Sequence, residues 1–504
     1  MERRLGTGTD YGHSIIFPGH KHCHKNIQFH VNQGEDCSLG YETVSSSFEI
    51  QSGPRTEWTA SAHIITAVIG SGVLSVPWSI GQMGWIAGLT TLFLFALCTL
   101  YTSRLLADCY RYPDPVTGKR NYIYMDAVRV NLSRRSYLLC GLTQYSNLVG
   151  TSIGYTITTA TAAWAIQKRN CLHRTGDQGE CLASTTPYIA IYGVIQIVLS
   201  LIPNFGEIWW LSYVAATMSF TYSFIVLGLG IGHSASKQSK DFGSVGGIGI
   251  GLVTPTTQTE AQKVWNVFIA LGNIAFAYSY SMILIEIQDT LRNPPSERKQ
   301  MKQATVYGIS ATTFFYLTVG ITGYSAFGNS IGPCGNILTC FENPYWLVDF
   351  ANACVVIHLV GAYQVYTQPV YQFVEMSVER RFPNSKFLKK GYLVNLPGGI
   401  TFDLNLFRAS WRTVYVIITT IIAMVLPFFN DVLGILGALG FWPLTVYFPL
   451  AMYIAQHKIQ RFSRLWIAFQ ILSFVTFLVS LAALIGSIEG IYIDVQHVKI
   501  FKAT

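Results

Sequence analysis

The chain has 504 residues, of which 50% are hydrophobic and 12% are charged, with a formal net charge of +8. The charged share is about half that of an ordinary soluble domain, which excludes a soluble protein. The aromatic share of 14% excludes an extensively disordered chain, because so much apolar surface cannot remain in water. The composition therefore predicts an all-α, multi-pass membrane protein.

Runs without Asp, Glu, Lys or Arg mark candidate membrane-spanning helices, since a bilayer core requires about 20 apolar residues per helix. Ten such runs occur, at 58–103, 136–167, 181–206, 208–236, 264–285, 304–341, 350–374, 413–430, 432–457 and 465–488. The first run is long enough for two helices, and the residues from Gly81 to Gly84 supply a turn within it. We therefore predict eleven transmembrane segments, numbered 1 to 11 along the chain.

The distribution of basic residues predicts the orientation, because Lys and Arg gather in cytoplasmic loops. With the N-terminus in the cytoplasm, the cytoplasmic parts hold 26 of the 34 Lys and Arg residues. We therefore predict a cytoplasmic N-terminus and an extracellular C-terminus. The positive charge is interpreted as a topology signal, and no nucleic-acid partner is expected.

Two regions outside the apolar runs have their own character. Residues 1–57 are polar and are predicted to form a disordered cytoplasmic tail, so that the membrane domain covers 58–504. The cluster from His20 to His24 is interpreted as part of this tail and not as a metal site. Residues 375–412 alternate basic and apolar side chains, which predicts a helix lying on the inner leaflet.

Four of the ten cysteines fall in loops predicted to face the oxidising exterior. Cys171 and Cys181 share the loop after segment 3, and Cys334 and Cys340 share the loop after segment 7. One or two disulfides are therefore expected, with the pairing left open.

The segments fall into two blocks of similar length. Segments 1 to 5 occupy 58–236, segments 6 to 10 occupy 263–457, and segment 11 follows at 465–488. Because each block has an odd number of spans, a repeated block must lie inverted in the membrane. In inverted-repeat transporters the first helix of each repeat is broken near the midplane, where the substrate binds. The arrangement predicts a 5+5 inverted repeat with breaks in segments 1 and 6.

Both expected breaks are visible as sequence patterns. Residues 69–72 place two glycines and a serine inside segment 1, which makes a poor helix centre. Residues 270–279 of segment 6 combine Gly, Asn and small residues with two aromatic side chains. The alternative for segment 1 is close helix packing through its small residues. The alternative for segment 6 is an unbroken helix with a polar stripe that faces its neighbours.

Broken helices at these positions would create a site for a zwitterion. A broken segment 1 presents free N–H groups and the positive end of a half-helix dipole, which favour an anion. A broken segment 6 presents carbonyl groups, which favour an ammonium group, and amino acids are the commonest small zwitterions. The predicted substrate-binding residues are Ile69, Gly70, Ser71, Gly72, Asn273, Phe276, Ala277, Tyr278 and Ser279.

Uphill transport requires a coupling ion, and ionisable residues inside the membrane are candidates for carrying a proton. His358 and Asp349 lie in segment 8, His63 lies in segment 1, and Glu286 lies at the end of segment 6. The alternative is sodium, held by carbonyl groups of segment 1 and hydroxyl groups of segment 8, such as that of Thr367.

Seven stretches of the chain carry a family resemblance. They are TASAHIITAVIGSGVLS from Thr59, LLADCYR from Leu105, DPVTGKRNYIYMDAVR from Asp114, IWWLS from Ile208, NIAFAYSYSMILIEIQDTLR from Asn273, HLVGAYQV from His358 and FFNDVLGILGALGFWPLTVYFP from Phe428. Through them the chain resembles the plant amino acid permeases of the amino acid/auxin permease family, over nearly everything from residue 56 to the end.

The resemblance implies eleven helices in the leucine-transporter-like fold, a plasma-membrane location and proton-coupled import of a broad range of amino acids. By position, Gly70 to Gly72 would bind the substrate carboxylate, and Phe276 to Ser279 would bind its ammonium group and side chain. Asn273 departs from the family pattern, since many relatives are expected to carry Asp at this position.

Other functional classes fit the sequence less well. Eleven segments in an inverted repeat match neither a seven-helix receptor nor a channel, and no selectivity filter is evident. A membrane enzyme would need a His-box or a metal-ligand spacing, and the sequence has neither, so no catalytic activity, metal or cofactor is expected. The expected partners are an amino acid, protons and the lipid bilayer. The alternative from another class is a sensor that binds amino acids without transporting them.

Overall fold

The computed structural model describes residues 56–175, 181, 184–201, 209–236, 241–250, 259–396 and 400–497. The chain divides into two units, Met1–Ser47 and Phe48–Thr504, and every described residue belongs to the second. The tail predicted for residues 1–57 lies outside the described residues except for Thr56 and Glu57.

Helices make up most of the described chain. They are α1 (Glu57–Val68), α2 (Gly72–Met83), α3 (Trp85–Asp108), α4 (Tyr124–Asn131), α5 (Arg134–Thr175), α6 (Thr186–Ser200), α7 (Trp209–Ala235), α8 (Glu260–Ala277), α9 (Leu284–Asp289), α10 (Glu297–Phe327), α11 (Tyr345–Arg381), α12 (Lys386–Lys389), α13 (Leu406–Val425), α14 (Phe429–Gly440), α15 (Phe448–Gln456) and α16 (Arg464–His497). Short 3-10 turns occur at Ser281–Ile283, Gly328–Ile331 and Ile337–Thr339, and a π-helical stretch, Phe441–Tyr447, joins α14 to α15.

Two antiparallel hairpins interrupt the helical pattern. Strand β1 (Arg111–Tyr112) pairs with β2 (Lys119–Arg120), and Arg111 lies opposite Arg120. Strand β3 (Gly391–Leu396) pairs with β4 (Ile400–Asn405). The prediction of a surface helix over 375–412 is therefore wrong, because the alternation of basic and apolar residues there includes a strand pattern with a period of two.

Polar caps define where several apolar helices begin. The backbone N–H of Thr56 donates to Thr59 Oγ1 at 3.0 Å ahead of α1. The same reciprocal arrangement joins Thr259 and Gln262 ahead of α8. Since these bonds satisfy N–H groups that a first helical turn leaves unpaired, they determine the starting points of the two helices that later break.

The expected membrane segments all contain helix. Among the described residues, eight helical stretches are long and apolar enough to span a membrane, and the bent pair α1–α2 raises the number to nine. The two remaining segments correspond to α5, which buries many polar side chains along its 42 residues, and to α6, which has only 15 residues. The predicted count of eleven spans is therefore not confirmed by length and apolarity.

The spans differ in how much of their surface is buried. The most apolar window of the stretch from α8 to α9 is 72% buried, and that of the stretch from α14 to α15 is 78% buried. The corresponding window of α16 is only 22% buried and exposes apolar side chains such as Ile471 and Phe474. Helix α8 packs against α2, α14 and α16, which places it at the centre of the helical array.

The loops lie on two sides of this array. Asp108 at the end of α3 forms ion pairs with Arg298 and Lys302 at the start of α10, the latter at 2.6 Å, and we call this the basic side. Helices α5 and α10 run from there to the opposite side, which holds two disulfides. The bonds are Cys171–Cys181, with a Cα separation of 5.9 Å, and Cys334–Cys340, with a Cα separation of 5.6 Å. We call this the disulfide side.

A lysine joins three backbone segments on the disulfide side. The ammonium group of Lys263, near the start of α8, donates to the carbonyl oxygens of Ile248 at 2.8 Å and Gly246 at 3.1 Å. It also donates to the carbonyl of Gln82 near the end of α2. Lys263 therefore connects α2 to α8 at their ends on this side.

Candidate functional site

The first break separates α1 from α2. The two helices meet at an angle of 58°, and residues 69–71 between them are not helical. Ser71 occupies the cap position of α2 without making a side-chain cap bond, and its Oγ is buried with no hydrogen-bond partner among the described residues. The first turn of α2 therefore presents N–H groups that no side chain caps, together with the positive end of the helix dipole.

Hydroxyl groups from other helices hold the carbonyl groups at this break. The donors are side chains of α7 and α10. The three bonds run from Tyr316 to Val68 at 2.6 Å, from Ser219 to Ile69 at 2.6 Å and from Tyr222 to Gly70 at 3.0 Å. Because each carbonyl that leaves the helical ladder gains a buried partner, the interruption is a built feature of the fold and costs little in lost hydrogen bonds.

The second break separates α8 from α9. The non-helical residues are Tyr278, Ser279 and Tyr280, followed by the 3-10 turn Ser281–Ile283. The interruption thus falls at the end of the stretch 270–279, and Gly272 remains helical. The oxygen of Tyr316 lies 3.1 Å from the carbonyl oxygen of Ala277, so a single phenol contacts both broken helices.

The small residues within α8 serve helix packing. A β-carbon on Gly272 would lie 2.6 Å from the carbonyl oxygen of Gly434 in α14. The Asn273 amide donates to Asn430 Oδ1 at 3.1 Å, also towards α14. These two residues therefore face a neighbouring helix, as in the alternative of an unbroken helix with a polar stripe.

A small cavity of about 20 Å³ lies between the two breaks, enough for roughly one water molecule. Its lining contains Gly70, Ser71, Gly72, Phe276, Ala277 and Ser279 from the predicted set. It also contains Ala67, Val68, Thr151, Tyr155, Met282 and Tyr366, which the sequence pattern did not single out. The structure therefore brings together both predicted stretches and adds walls from α5 and α11.

Three of the predicted substrate-binding residues lie outside this lining. Ile69 is fully buried, and Asn273 contacts α14 as described. The hydroxyl of Tyr278 donates to Thr313 Oγ1 at 3.2 Å, and its ring packs edge-on against Tyr316. Among the added walls, Thr151 and Tyr155 are four residues apart on α5, and this helical spacing of a hydroxyl and a phenol was the available signal.

His358 lies beside the first break. Its Nδ1 is 2.7 Å from the carbonyl oxygen of Ala215, and it is almost fully buried. Because a carbonyl only accepts, Nδ1 carries the proton in the neutral ring, which leaves Nε2 as the basic atom. A β-carbon on Gly70 would lie 3.9 Å from Nε2, so the basic atom is directed towards the cavity region.

The other candidates for proton coupling lie in different places. Asp349 is on the disulfide side, where it pairs with Arg169 at 2.5 Å and accepts from Asn170 at 2.8 Å. Glu286 is on the basic side, where Oε1 accepts from the Tyr124 N–H at 3.3 Å. Its Oε2 is buried with no hydrogen-bond partner in the described part of the chain.

The last two sequence candidates are less closely tied to the cavity. His63 is exposed on α1. Thr367 on α11 is buried, and its hydroxyl donates to the carbonyl of Gln364 at 3.2 Å. Neither side chain lines the space between the two breaks.

Two broken helices whose opposite ends meet at a buried cavity define a membrane protein of the leucine-transporter-like fold. The crystal structure of MhsT in complex with L-phenylalanine is similar to this chain with a TM-score of 0.55, covering 87% of this chain and 100% of that one at 10% identity. The family described as transmembrane amino acid transporter protein matches residues 53–493, and the chain belongs to that family.

Two plant proteins are close relatives in sequence. Amino acid permease 3 of Arabidopsis thaliana is 54% identical over 448 residues, which cover 88% of this chain and 92% of that protein. Amino acid permease 2 of the same plant is 53% identical over 452 residues, which cover 89% and 90%. Both similarities extend over nearly the full length of either protein.

Proposed function

We propose that the chain is a proton-coupled symporter that imports a broad range of amino acids across the plasma membrane, with its N-terminus in the cytoplasm. Family membership and the names of the plant relatives support amino acid transport. The bias of basic residues supports the orientation. The observation that carries the proposal is the meeting of the α2 N-terminus and the α8 C-terminus at one cavity.

In this proposal the helix ends recognise the two charged groups that all amino acids share. The substrate carboxylate binds the N–H groups at Ser71 and Gly72 and the unpartnered Ser71 hydroxyl. The ammonium group binds the carbonyl end of α8 near Ala277. Since the cavity of about 20 Å³ is too small for a substrate, loading requires the helices around it to separate.

The walls of the cavity support the proposed broad substrate range. Phe276, Tyr155, Met282 and Tyr366 surround the space into which a substrate side chain would project. Aromatic and thioether groups make non-directional contacts, and an unbranched methionine adapts to different shapes. None of these four side chains is charged, so the walls favour no particular substrate charge.

Protonation of His358 is the proposed coupling step. Its Nε2 is the basic atom on the side of Gly70, within reach of the carboxylate subsite. A proton on Nε2 would add a positive charge next to the bound carboxylate and strengthen its binding. Release of the proton towards the cytoplasm would then weaken binding and favour substrate release.

Sodium coupling is the runner-up. It would need carbonyl groups of the first break as ligands, and the carbonyls of Val68, Ile69 and Gly70 each accept a hydroxyl hydrogen bond. Each hydroxyl occupies one of the two lone pairs of its carbonyl oxygen, which leaves fewer positions for a sodium ion. This arrangement supports the proton as the coupling ion.

The test is to measure substrate-evoked current and uptake of labelled amino acid in expressing cells, with external pH and sodium varied separately. We expect currents in sodium-free medium that grow as the exterior becomes more acidic, together with accumulation of the label. A strict sodium requirement would overturn proton coupling. Binding of amino acids to the purified protein without accumulation in cells would favour the sensor.

A further inference from the structure

A second and larger cavity opens on the basic side. This cleft has a volume of about 480 Å³ and shares no lining residue with the cavity between the broken helices. Its basic lining residues are Arg104, Arg111, Arg298, Lys299 and Lys302, contributed by α3, β1 and the first turns of α10. The acidic lining residue is Glu297.

Neighbouring acids do not neutralise the cleft. Glu297 pairs with Arg111 at 2.8 Å and with Arg120 at 3.2 Å, so one carboxylate serves two guanidinium groups. Asp108 likewise serves both Arg298 and Lys302. The nearby Asp114 carboxylate accepts hydrogen bonds from the backbone of its own loop.

Two basic side chains of the cleft are available for an anion. Arg104 and Lys299 are exposed, and neither forms an ion pair with any residue that the structure describes. The cleft therefore combines a surplus of positive charge with side chains that can turn towards a ligand. Guanidinium and ammonium groups bind phosphate groups through charge-assisted hydrogen bonds.

One wall of the cleft continues into the apolar surface of the helical array. Tyr307 lines the cleft and stacks on Trp58, with ring centroids 5.0 Å apart and planes 4° apart. Both rings are exposed, and such aromatic pairs lie preferentially at the membrane interface. Phe314 and Ile321 follow Tyr307 at intervals of seven residues along α10 and are exposed as well. They form an apolar stripe that leads from the cleft towards the bilayer core.

We propose that this cleft binds the phosphorylated headgroup of an anionic phospholipid in the leaflet on the basic side, with the acyl chains lying along the stripe of Tyr307, Phe314 and Ile321. Basic pockets between transmembrane helices have the chemistry that holds such headgroups. A soluble phosphate ester could make the same polar contacts but would gain nothing from the stripe. The inference is independent of the proposed transport function.

A bound lipid would stabilise contacts that reach the second broken helix pair. The cleft joins α3 to α10 through the ion pairs of Asp108. The adjoining Tyr110 donates to Asp289 Oδ1 at 2.6 Å, at the end of α9. Occupation of the cleft therefore strengthens the arrangement of the basic side in which these helices are held together.

The experiment uses the full-length protein in nanodiscs of phosphatidylcholine, with or without a minor fraction of phosphatidylinositol 4-phosphate. We expect the anionic lipid to raise the unfolding temperature of the parent protein. Binding of a short-chain form of this lipid should weaken about 30-fold in the variant Arg104→Gln/Lys299→Gln, from the loss of two basic contacts. Both replaced side chains are exposed and unpaired, and an unchanged unfolding temperature in phosphatidylcholine alone verifies that the variant folds.

The matched control is Arg134→Gln/Arg135→Gln, which removes two exposed arginines from the start of α5, on the same side but outside the cleft. It should bind the lipid like the parent. Equal loss in both double variants would overturn the proposal, since the lipid would then be attracted by net charge alone. Binding of free inositol phosphate as tight as binding of the lipid would also overturn it and assign a soluble phosphate ester to the cleft.

Discussion

A β-carbon placed on Gly72 would lie 3.1 Å from both the Cα and the Cβ of Ala277. Gly72 is the first residue of α2, and Ala277 is the last residue of α8. The two broken helices therefore touch at the residues that bound their breaks, and the contact leaves no room for a larger side chain. Both residues also line the small cavity, so any displacement there changes the shape of the proposed substrate site.

Replacing Gly72 with Val should abolish amino acid uptake while the protein still reaches the cell surface. The added methyl groups must push α2 away from α8, and overpacking of this kind costs about 1–3 kcal/mol. A shift of about 1 Å at a binding site can lower activity about a hundredfold. Uptake of labelled amino acid, normalised to surface biotinylation, measures the effect.

Gly228→Val is the matched control for this substitution. A β-carbon at Gly228 on α7 would meet no atom within 4 Å, so the same change of residue type should leave uptake close to that of the parent. Normal transport by the Gly72→Val variant would contradict the assignment of the substrate site to the two breaks.

His358→Asn tests the coupling step with little change in shape. The Asn amide can replace Nδ1–H as the donor to the Ala215 carbonyl, whereas the basic Nε2 is removed. We expect the current of this variant to stop growing as the external pH falls from about 8 to about 5, because no basic ring nitrogen remains to take up a proton. Currents recorded without sodium across this range provide the measurement.

A second histidine serves as the comparison. His457, in the exposed loop after α15, also has Nδ1 near a backbone carbonyl, that of Tyr453 at 3.2 Å. His457→Asn should preserve the pH profile of the parent. If His358→Asn preserved it too, with unchanged accumulation of substrate, His358 would have no part in coupling.

Asp349→Asn should lower stability and leave the pH profile unchanged. Arg169 and Asp349 are 13% and 15% exposed, and Arg169 also donates to the Phe341 carbonyl at 3.1 Å. Removing the carboxylate leaves a mostly buried guanidinium without its counter-charge, at a cost of about 2 kcal/mol, somewhat less than for a fully buried pair. Thermal unfolding of the purified protein should show the loss. Unaltered stability combined with a flattened pH profile would instead make Asp349 the proton carrier.

Asp126→Asn should stabilise the protein at neutral pH. Asp126 lies on α4, outside the membrane spans, and burial raises the pKa of its carboxyl to about 6, although Arg129 acts to lower it. Because the folded state binds this proton more tightly than the unfolded state, the unfolding free energy falls as pH rises from about 4 through about 6. The neutral amide avoids this loss, which is worth about 3 kcal/mol above that range.

The measurement for Asp126→Asn is the unfolding temperature of parent and variant at pH values below and above this window. The difference should be small in acid and favour the variant at neutral pH. Asp114→Asn should instead lower the unfolding temperature at neutral pH. Hydrogen bonds from the Thr117 and Val116 N–H groups lower the pKa of the Asp114 carboxyl, so its ionised form stabilises the folded state. A lower unfolding temperature for Asp126→Asn at neutral pH would contradict the assigned direction.

The two breaks differ in how well the sequence located them. The first is local, because Gly70, Ser71 and Gly72 stand together within apolar helix and interrupt it where they occur. The second lies at Tyr278 and beyond, after the Gly272 that suggested it. Gly272 is small because it packs against Gly434, which lies 162 positions further along the chain. A contact between such distant residues produces no local pattern in the sequence.

Local sequence reasoning could place the wall residues of α5 on one helix face, but it could not identify that face as part of the site. Tyr155 and Tyr366 come from α5 and α11, and their rings meet edge-on with centroids 5.5 Å apart. Aromatic side chains of membrane helices also lie at the membrane interface, so residue type alone does not mark a site. The packing of α5 against α11, two helices far apart in the sequence, is what places these aromatic side chains at the site.

The three carbonyl contacts of Lys263 constrain how the cavity can open towards the disulfide side. The bond to the Gln82 carbonyl joins the end of α2 to the start of α8, while the other ends of these helices meet at Gly72 and Ala277. The two half-helices, α2 and α8, are thus in contact at both ends and are expected to move as one unit. We therefore expect the paired half-helices to move away from α5 and α11, so that the cavity opens beside Tyr155 and Tyr366. Separating α2 from α8 would first require breaking the charge-assisted bond from Lys263 to the Gln82 carbonyl, which is worth about 1.5–3 kcal/mol.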